Sequence, residues 1–348
     1  MEMADEHEPG AYLKATLESQ PRELARLHAD GSAAAAAERL RDASRIFLVG
    51  TGTSFHGALA GQYILRSAGR EAWAVRAFEF AKYPPRFREG DGLVLLSHRG
   101  NKRFSRDSLD LFKGFGERWI VISGEGSTLE GEGVVRTVEQ EKSPVHTASH
   151  TGAMFRLAQI ASALGHPAWK SQLGGVPDAV AACVALQSEV AVALRSFDLE
   201  RSMHYIGGGP ARATAYEGAL KIREAAHRVA AEGHDLEGIL HGPLISVQPE
   251  HAAILVAQPG PSMERAREVA EALAEIGTRV LAVGPEAASV PARHRIITPL
   301  LDEVLAPIVN VVPLQWLAYE ASRRLGVNAD SFRRDEPTYA AAQSKFKL

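Results

Sequence analysis

A repeat with an offset of about 160 residues restricts the fold of this chain more than any other feature of its sequence. Ile46–Val49 is matched by Tyr205–Gly208, and Leu93–Ser97 is matched by Ile254–Gln258. Two apolar helical patterns, at 155–165 and 314–326, repeat in the same order. The sequence therefore predicts two similar lobes rather than one large sheet.

Within each lobe, short apolar runs that end in Gly or Ser alternate with longer helical patterns. This alternation is typical of βαβ units, so we expect an α/β fold built on parallel sheets. The predicted strands are 45–50, 72–78, 92–97, 118–123 and 133–138 in the first half, and 203–208, 245–248, 252–257, 279–284 and 295–300 in the second. A linker containing Gly and Pro is predicted at 171–178, followed by a helix.

Composition narrows the class of protein. The 348 residues carry a net charge of −3, which gives no reason to expect nucleic acid or an anionic membrane as a partner. The single cysteine, Cys183, cannot form an internal disulfide, as is usual in a reducing compartment. The start of the chain is acidic and lacks an apolar core, unlike a signal peptide. We expect a cytoplasmic protein.

Two turns that follow predicted strands carry residues suited to an anion. The segment VGTGTSFHGALAG at 49–61 places small residues and hydroxyl groups where a helix begins, an arrangement that also occurs in simple helix caps. The segment LSHRGNKRFS at 96–105 adds three cations, Arg99, Lys102 and Arg103. Because ligands of open α/β sheets bind at the carboxyl ends of strands, the two turns together predict a site for a small anion.

The segment YEGALKIREAAHR carries a further charged pattern. Glu217, Lys221 and Glu224 are spaced so that they share one face of a helix. A solvated face with one ion pair is the simpler interpretation. However, the helix follows the glycine-rich turn IGGGPARATA, which directs this face toward the strand-end crevice. We expect no metal or other cofactor.

Several motifs in order resemble the SIS (sugar isomerase) domain family. They are GTGTSFHGALAGQY, AFEF, LSHRGN, EKSPVHTASHT, YEGALKIREAA, HGPL and the final helix of the second lobe. The likeness is to the isomerase half of glucosamine-6-phosphate synthase and to relatives that lack a glutaminase. It implies two tandem, doubly wound, flavodoxin-like lobes. The expected division is N-terminal helices at 1–40, lobes at 41–170 and 201–327, a linker helix at 171–200, and a tail at 328–348 over the active site.

The resemblance also implies roles for individual residues. Glu224 would be the proton-transferring base, supported by Glu217 and Lys221, and His241 would open the sugar ring from a neighbouring subunit, which requires a homodimer. The residues expected to bind the substrate are Thr53, Ser54, Ser97, His98, Arg99, Gly100, Asn101, Lys102, Glu141 and Thr147.

Two departures from the family pattern concern charge. Arg99 and Lys102 stand where the family has hydroxyl side chains, so the anion site is rebuilt with cations, and a sulfonate becomes an alternative to phosphate. In the tail, Pro337 stands where the synthase has its Schiff-base lysine, and whether Lys345 or Lys347 reaches the site stays open. Arg333 and Arg334 are expected to face the anionic sugar.

These features predict an aldose–ketose isomerase that acts on a hexose with an anion at C6, through an enediol or enediolate. An amino-sugar-phosphate deaminase and a sugar–amine deglycase would use the same enolisation and remain alternatives. A non-catalytic sugar sensor is a third, although a sensor has little use for Glu217, Lys221, Glu224 and His241 together.

Overall fold

The computed structural model describes residues 7–166 and 169–346, which form two parallel sheets of five strands each, flanked by helices. The strands are β1 Arg45–Gly50, β2 Glu71–Arg76, β3 Asp91–Leu96, β4 Trp119–Ser123, β5 Val134–Arg136, β6 Met203–Gly207, β7 Ala231–Asp235, β8 Ala252–Val256, β9 Arg279–Val283 and β10 His294–Ile296. Their orders are β2-β1-β3-β4-β5 and β7-β6-β8-β9-β10. The identical topology confirms the predicted α/β fold with two similar doubly wound halves.

Helices cover both faces of each sheet and connect the two halves. They are α1 Ala11–Ala29, α2 Ser32–Ala37, α3 Thr53–Ser67, α4 Ala77–Lys82, α5 Arg103–Lys113, α6 Ala148–Ala163, α7 Trp169–Val184, α8 Gln187–Leu194, α9 Ala211–Ala226, α10 Leu236–Leu240, α11 Met263–Ile276, α12 Ala306–Leu325 and α13 Pro337–Gln343. Short 3₁₀ helices lie at Glu38–Leu40, Pro243–Ser246 and Ala287–Ser289. In the described chain no single helix is long and apolar enough to cross a membrane, although the bent pair α7–α8 passes that test of length and composition.

One predicted strand is wrong. The segment 245–248 forms no strand: its first residues belong to the 3₁₀ helix Pro243–Ser246, and Ile245 is 91% exposed. The edge strand beside β6 is instead β7, whose sequence AEGHD is largely polar. As an edge strand it buries little side-chain surface, so it lacks the apolar run used to identify strands.

The Gly- and Pro-containing segment 171–178 does not precede a helix, as predicted, but is itself helical: it lies inside α7 despite Pro177. Leu173 and Val176 of this segment are buried, and α7 packs against α1 and α12. Tertiary packing of this apolar face outweighs the weak helix propensity of glycine and proline.

The two halves meet through helices that follow the first strand of each sheet. α3 follows β1, α9 follows β6, and α3 packs directly against α9. One hydrophobic core includes Ile46 of the first sheet and Tyr205 of the second. This arrangement brings the N-terminal half of α3 to the charged face of α9.

Candidate functional site

A narrow pocket lies at the carboxyl ends of β1 and β3. Four residues predicted to bind the anion, Thr53, Ser54, Ser97 and His98, line this pocket. The turn before α3 needs glycine at Gly50, because a Cβ atom there would lie 2.5 Å from the backbone of Ser54. Close backbone approach thus positions the start of α3 at the pocket.

The turn after β3 is held rigidly by its neighbours. The carbonyl of His98 accepts hydrogen bonds from the Gly124 N–H at 3.0 Å and the Gln140 side chain at 3.1 Å. Gly100 has φ 73°, and a Cβ there would lie 2.3 Å from the Ser127 hydroxyl. The buried Ser97 hydroxyl has no hydrogen-bond partner among the described residues. A buried hydroxyl without a partner is costly, which is consistent with a ligand-binding role.

Two of the predicted cations on this turn, Arg99 and Lys102, are half-buried. In the part of the chain that the structure describes, no carboxylate lies within ion-pair distance of Arg99 or Lys102, whereas the exposed Arg103 approaches Asp107 at 3.9 Å. Burial lowers the pKa of Lys102, and the charges of Arg99 and Arg334 lower it further. Asn101 between them is exposed.

The C-terminal tail brings one of its two adjacent arginines toward this turn. Arg333 is engaged within the tail, donating hydrogen bonds of 2.7 and 2.6 Å to Glu336 and stacking on Tyr339. Arg334 is exposed, has no carboxylate partner among the described residues, and is the arginine whose charge acts on Lys102. The structure therefore separates the two arginines that the sequence analysis treated alike.

Hydrogen bonds anchor the beginning of the tail to the first helix of the chain. Asp330 accepts hydrogen bonds from the N–H groups of Tyr12 at 2.9 Å and Leu13 at 3.1 Å, anchoring the tail to the start of α1. The sequence offers two tail lysines as candidates to reach the site. Lys345 is exposed, and Lys347 lies outside the described residues.

The face of α9 carries the predicted charged residues in one connected network. Lys221 is fully buried; its ammonium group hydrogen-bonds to Glu224 and lies 3.4 Å from the buried Glu217 Oε1. The other oxygen of Glu217, Oε2, lies 2.7 Å from Nδ1 of His56 on α3. The Glu224 side chain is 18% exposed, so it is the carboxylate of this network that reaches solvent.

Charge balance keeps the buried members of the network ionised. Burial alone would lower the pKa of Lys221, but the negative charges of Glu224 and Glu217 outweigh it and raise that pKa. Burial would likewise raise the pKa of Glu217, yet Lys221, His150 and His56 hold it well below its usual range. Glu217 is thus a permanent carboxylate that fixes the ammonium group.

Two histidines that the sequence analysis did not select complete the site. His56 joins the network directly, and His150 lines the pocket while lying close enough to influence Glu217. Burial lowers the pKa of His150 to about 4, which makes it neutral at pH 7. Because His56 and Glu217 are 161 residues apart, no local spacing could reveal the pair.

His241 does not join this network within the chain. It follows α10, its side chain is 79% exposed, and its Nε2 atom lies 3.3 Å from Glu237 on the same helix. The geometry of one chain therefore leaves its predicted role untested.

Glu141 and Thr147 contact each other at the start of α6. The carboxylate of Glu141 accepts the N–H groups of Thr147 at 2.9 Å and Ser149 at 2.8 Å. Burial would raise the pKa of Glu141, but His146, His98 and these hydrogen bonds lower it to about 2. Glu141 is therefore a helix-capping carboxylate, and neither it nor Thr147 lines the pocket.

His98, Glu141 and His146 also lie together, with one donor atom from each within 4.8 Å of the other two. Burial lowers the pKa of His98 to about 4, so this imidazole is neutral at pH 7. Two imidazoles and a carboxylate are a donor set that can hold a divalent metal ion. Their sequence spacing gave no sign of the cluster.

Comparison with known proteins agrees with the fold and the motifs. The SIS domain family matches residues 39–161 and 198–323. The isomerizing glutamine–fructose-6-phosphate aminotransferase of Gloeobacter violaceus is 28% identical over 311 residues, 84% of this chain and 51% of that protein. The Pyrobaculum aerophilum aminotransferase of the same name is 30% identical over 323 residues, 85% of this chain and 51% of its own. This chain thus spans about half the length of these curated relatives.

Solved structures show the same architecture. The C-terminal domain of glucosamine-fructose-6-phosphate aminotransferase from Francisella tularensis superposes with a TM-score of 0.80 at 19% identity, covering 94% of this chain and 99% of that one. Tagatose-6-phosphate ketose/aldose isomerase from Escherichia coli gives 0.78 at 21% identity, covering 93% and 98%. The chain belongs to the SIS domain family, with two copies of the domain.

Proposed function

We propose that this protein is an aldose–ketose isomerase for a hexose with an anionic group at C6. The observation that carries the proposal is the position of Glu224: it is the solvent-reaching end of a buried network in which Lys221 contacts it directly. A carboxylate held in this way is suited to moving one proton between the C1 and C2 carbons of a sugar.

The chemistry assigns a step to each member of the network. Glu224 removes a proton from C1 or C2, giving an enediol or enediolate, and returns the proton to the other carbon, while the hydroxyl proton passes between O1 and O2. The Lys221 ammonium group compensates the negative charge that develops on the substrate oxygen. Glu217 and His56 hold Lys221 in position through contacts of 3.4 and 2.7 Å along the network.

The anion of the substrate is assigned to the basic turn and the tail. Arg99, Lys102 and Arg334 place three cations near one another without a neutralising carboxylate among the described residues. Unpaired cations in close proximity repel each other, and a bound anion removes that repulsion. Guanidinium and ammonium groups suit either a phosphate or a sulfonate at C6.

His241 is assigned to ring opening in the site of a second copy of this chain. Its side chain is 79% exposed, and Ile245, in the 3₁₀ helix that follows, is 91% exposed. The exposure of both residues leaves this segment available for contact with a partner subunit. We therefore propose a homodimer in which each site takes His241 from the other chain.

The deciding experiment is ¹H NMR in D₂O with purified protein and a panel of sugars. The panel contains fructose 6-phosphate, glucosamine 6-phosphate, 6-deoxy-6-sulfofructose and a neutral hexose. Deuterium incorporation at C1 or C2 of an anionic sugar supports the proposal and identifies the anion. Ammonia release in the same tube indicates a deaminase instead, and binding without exchange indicates either a sugar sensor or a conjugated substrate missing from the panel, as a deglycase would require.

A further inference from the structure

The cluster formed by His98, Glu141 and His146 has unused coordinating atoms. The Nδ1 atoms of both histidines are buried and have no hydrogen-bond partner among the described residues. Within residues 7–166 and 169–346, Nε2 of His98 accepts only a long contact, 3.5 Å from the Glu141 N–H. Nδ1 of His146 lies 3.6 Å from Glu141 Oε1. Such incompletely satisfied polar atoms are uncommon in a protein interior and require an explanation.

The space around His98 decides which of its nitrogen atoms is available. A Cβ atom on Gly124 would lie 2.5 Å from His98 Nδ1, so that side of the ring packs against the backbone. The Nε2 side faces Glu141, at the distance of a weak hydrogen bond. An incoming ion would therefore meet Nε2, the carboxylate of Glu141 and the imidazole of His146.

The carboxylate is already oriented for such a role. The Thr147 and Ser149 N–H groups bind Glu141 Oε2 and Oε1, and they hold the side chain at the cluster. Oε2 also accepts the Thr147 hydroxyl at 3.3 Å, so Oε1 is the oxygen that retains a lone pair for a ligand. Hydrogen bonds of this kind fix metal-binding carboxylates in known sites.

We propose that His98, Glu141 and His146 bind one divalent transition-metal ion, with Zn²⁺ as the closest match to the donor set. Three protein ligands leave at least one coordination position for water or for a substrate oxygen. Since His98 also lines the pocket, the ion lies beside the proposed sugar site. No step of the proposed isomerisation requires the ion, so the two proposals stand or fall separately.

The test is isothermal titration of chelator-stripped, full-length protein with Zn²⁺, together with Co²⁺ absorption spectra. We expect one ion per chain, and at least about a tenfold loss of affinity in His146→Ala and in His98→Ala. His251→Ala is the matched control, because it removes a member of the separate histidine cluster of the second sheet. Circular dichroism verifies that each variant is folded, and His146, whose side chain is 24% exposed, provides the variant with less risk of misfolding.

Each result of the Zn²⁺ titration either supports or overturns the proposed site. One Zn²⁺ per chain in the wild type and in His251→Ala, with loss in His146→Ala, supports the site. No stoichiometric uptake by the wild type overturns it and leaves Glu141 as a helix cap alone. Undiminished binding by His146→Ala also overturns it, and loss in His251→Ala instead assigns the ion to the other cluster.

Discussion

The Nδ1 atom of His56 lies 2.7 Å from Oε2 of Glu217, and this contact joins the two halves of the molecule at the candidate active site. His56 belongs to the helix after β1, and Glu217 to the helix after β6. Because both side chains are buried, the contact links the position of Lys221 to the packing of α3 on α9.

The buried network predicts a large cost for removing its cation. Lys221→Met leaves Glu217 as a buried carboxylate without its ammonium partner, and we expect a loss of about 3–5 kcal/mol in the free energy of unfolding. Urea denaturation measures this loss. Adding Glu217→Leu to the same variant removes the unpaired charge and recovers part of the stability; no recovery in the double variant contradicts the ion-pair explanation.

Replacing the proposed base separates chemistry from binding. Glu224→Gln keeps the shape of the side chain but removes its proton-accepting oxygen, so solvent deuterium exchange into the substrate drops by at least about a hundredfold. Calorimetric affinity for the anionic sugar changes little, since Glu224 is not assigned to the anion. Glu271→Gln, on the exposed face of α11, is the matched control and retains activity. Wild-type exchange in Glu224→Gln rules out this residue as the base.

How much of the fold and of the candidate site could be predicted from the sequence depends on whether the sequence pattern is local or repeats regularly. The offset of about 160 residues and the apolar runs correctly indicated two similar sheets, and nine of the ten predicted strands overlap real ones. The exception, 245–248, does not lie about 160 residues after β2. The real strand β7 does, because the edge strands β2 and β7 begin at Glu71 and Ala231. Applying the repeat strictly would have identified β7 despite its polar sequence.

The site was predictable where residues follow one another on one element. Glu217, Lys221 and Glu224 share a helix face, and their spacing was sufficient to predict that they lie together. His56, His150 and the cluster around Glu141 depend on contacts between distant segments, which periodicity does not encode. The difference between Arg333 and Arg334 likewise arises from the folded tail, where Glu336 and Tyr339 engage only the first.

That difference supplies a paired test of the anion site. Arg334→Ala, like Arg99→Ala and Lys102→Ala, removes a charged donor worth about 1.5–3 kcal/mol, and we expect KM for the anionic sugar to rise roughly tenfold to a hundredfold. KM for a neutral hexose changes little. Arg333→Ala breaks the pair with Glu336 and serves as the neighbouring control, with little effect on KM. Equal effects on charged and neutral sugars refute the anion assignment.

Three histidines of the second sheet predict a pH dependence of stability. His204 lies 3.2 Å from His234 and 3.0 Å from His251, and burial together with these neighbours lowers its pKa from 6.5 to about 4. The folded state therefore disfavours protonated His204. The contribution of neutral His204 to the free energy of unfolding is fully present above pH 6.5 and is lost as pH falls toward 4.

Urea denaturation at a series of pH values measures this effect. His204→Gln keeps a hydrogen-bonding side chain but cannot titrate, so its stability falls less steeply between pH 6.5 and 4 than that of the wild type. Burial also lowers the pKa of His234, although the charge of Glu232 opposes this shift. The stability of His204→Gln therefore still falls with pH, with a smaller slope. Identical slopes in the two proteins exclude His204 as the titrating group.

The proposed exchange of His241 between subunits predicts complementation between two inactive variants. His241→Asn and Glu224→Gln chains are each expected to be inactive as homodimers. In a mixed dimer one site lacks both residues and the other has both, so random mixing in equal amounts restores about a quarter of wild-type activity. The activity of the mixture after subunit exchange, with dimer mass verified by analytical ultracentrifugation, measures this directly. Recovery shows that the two residues act across the interface; a mixture that remains inactive, although mixed dimers are present, places both residues in the same chain's site or outside the reaction.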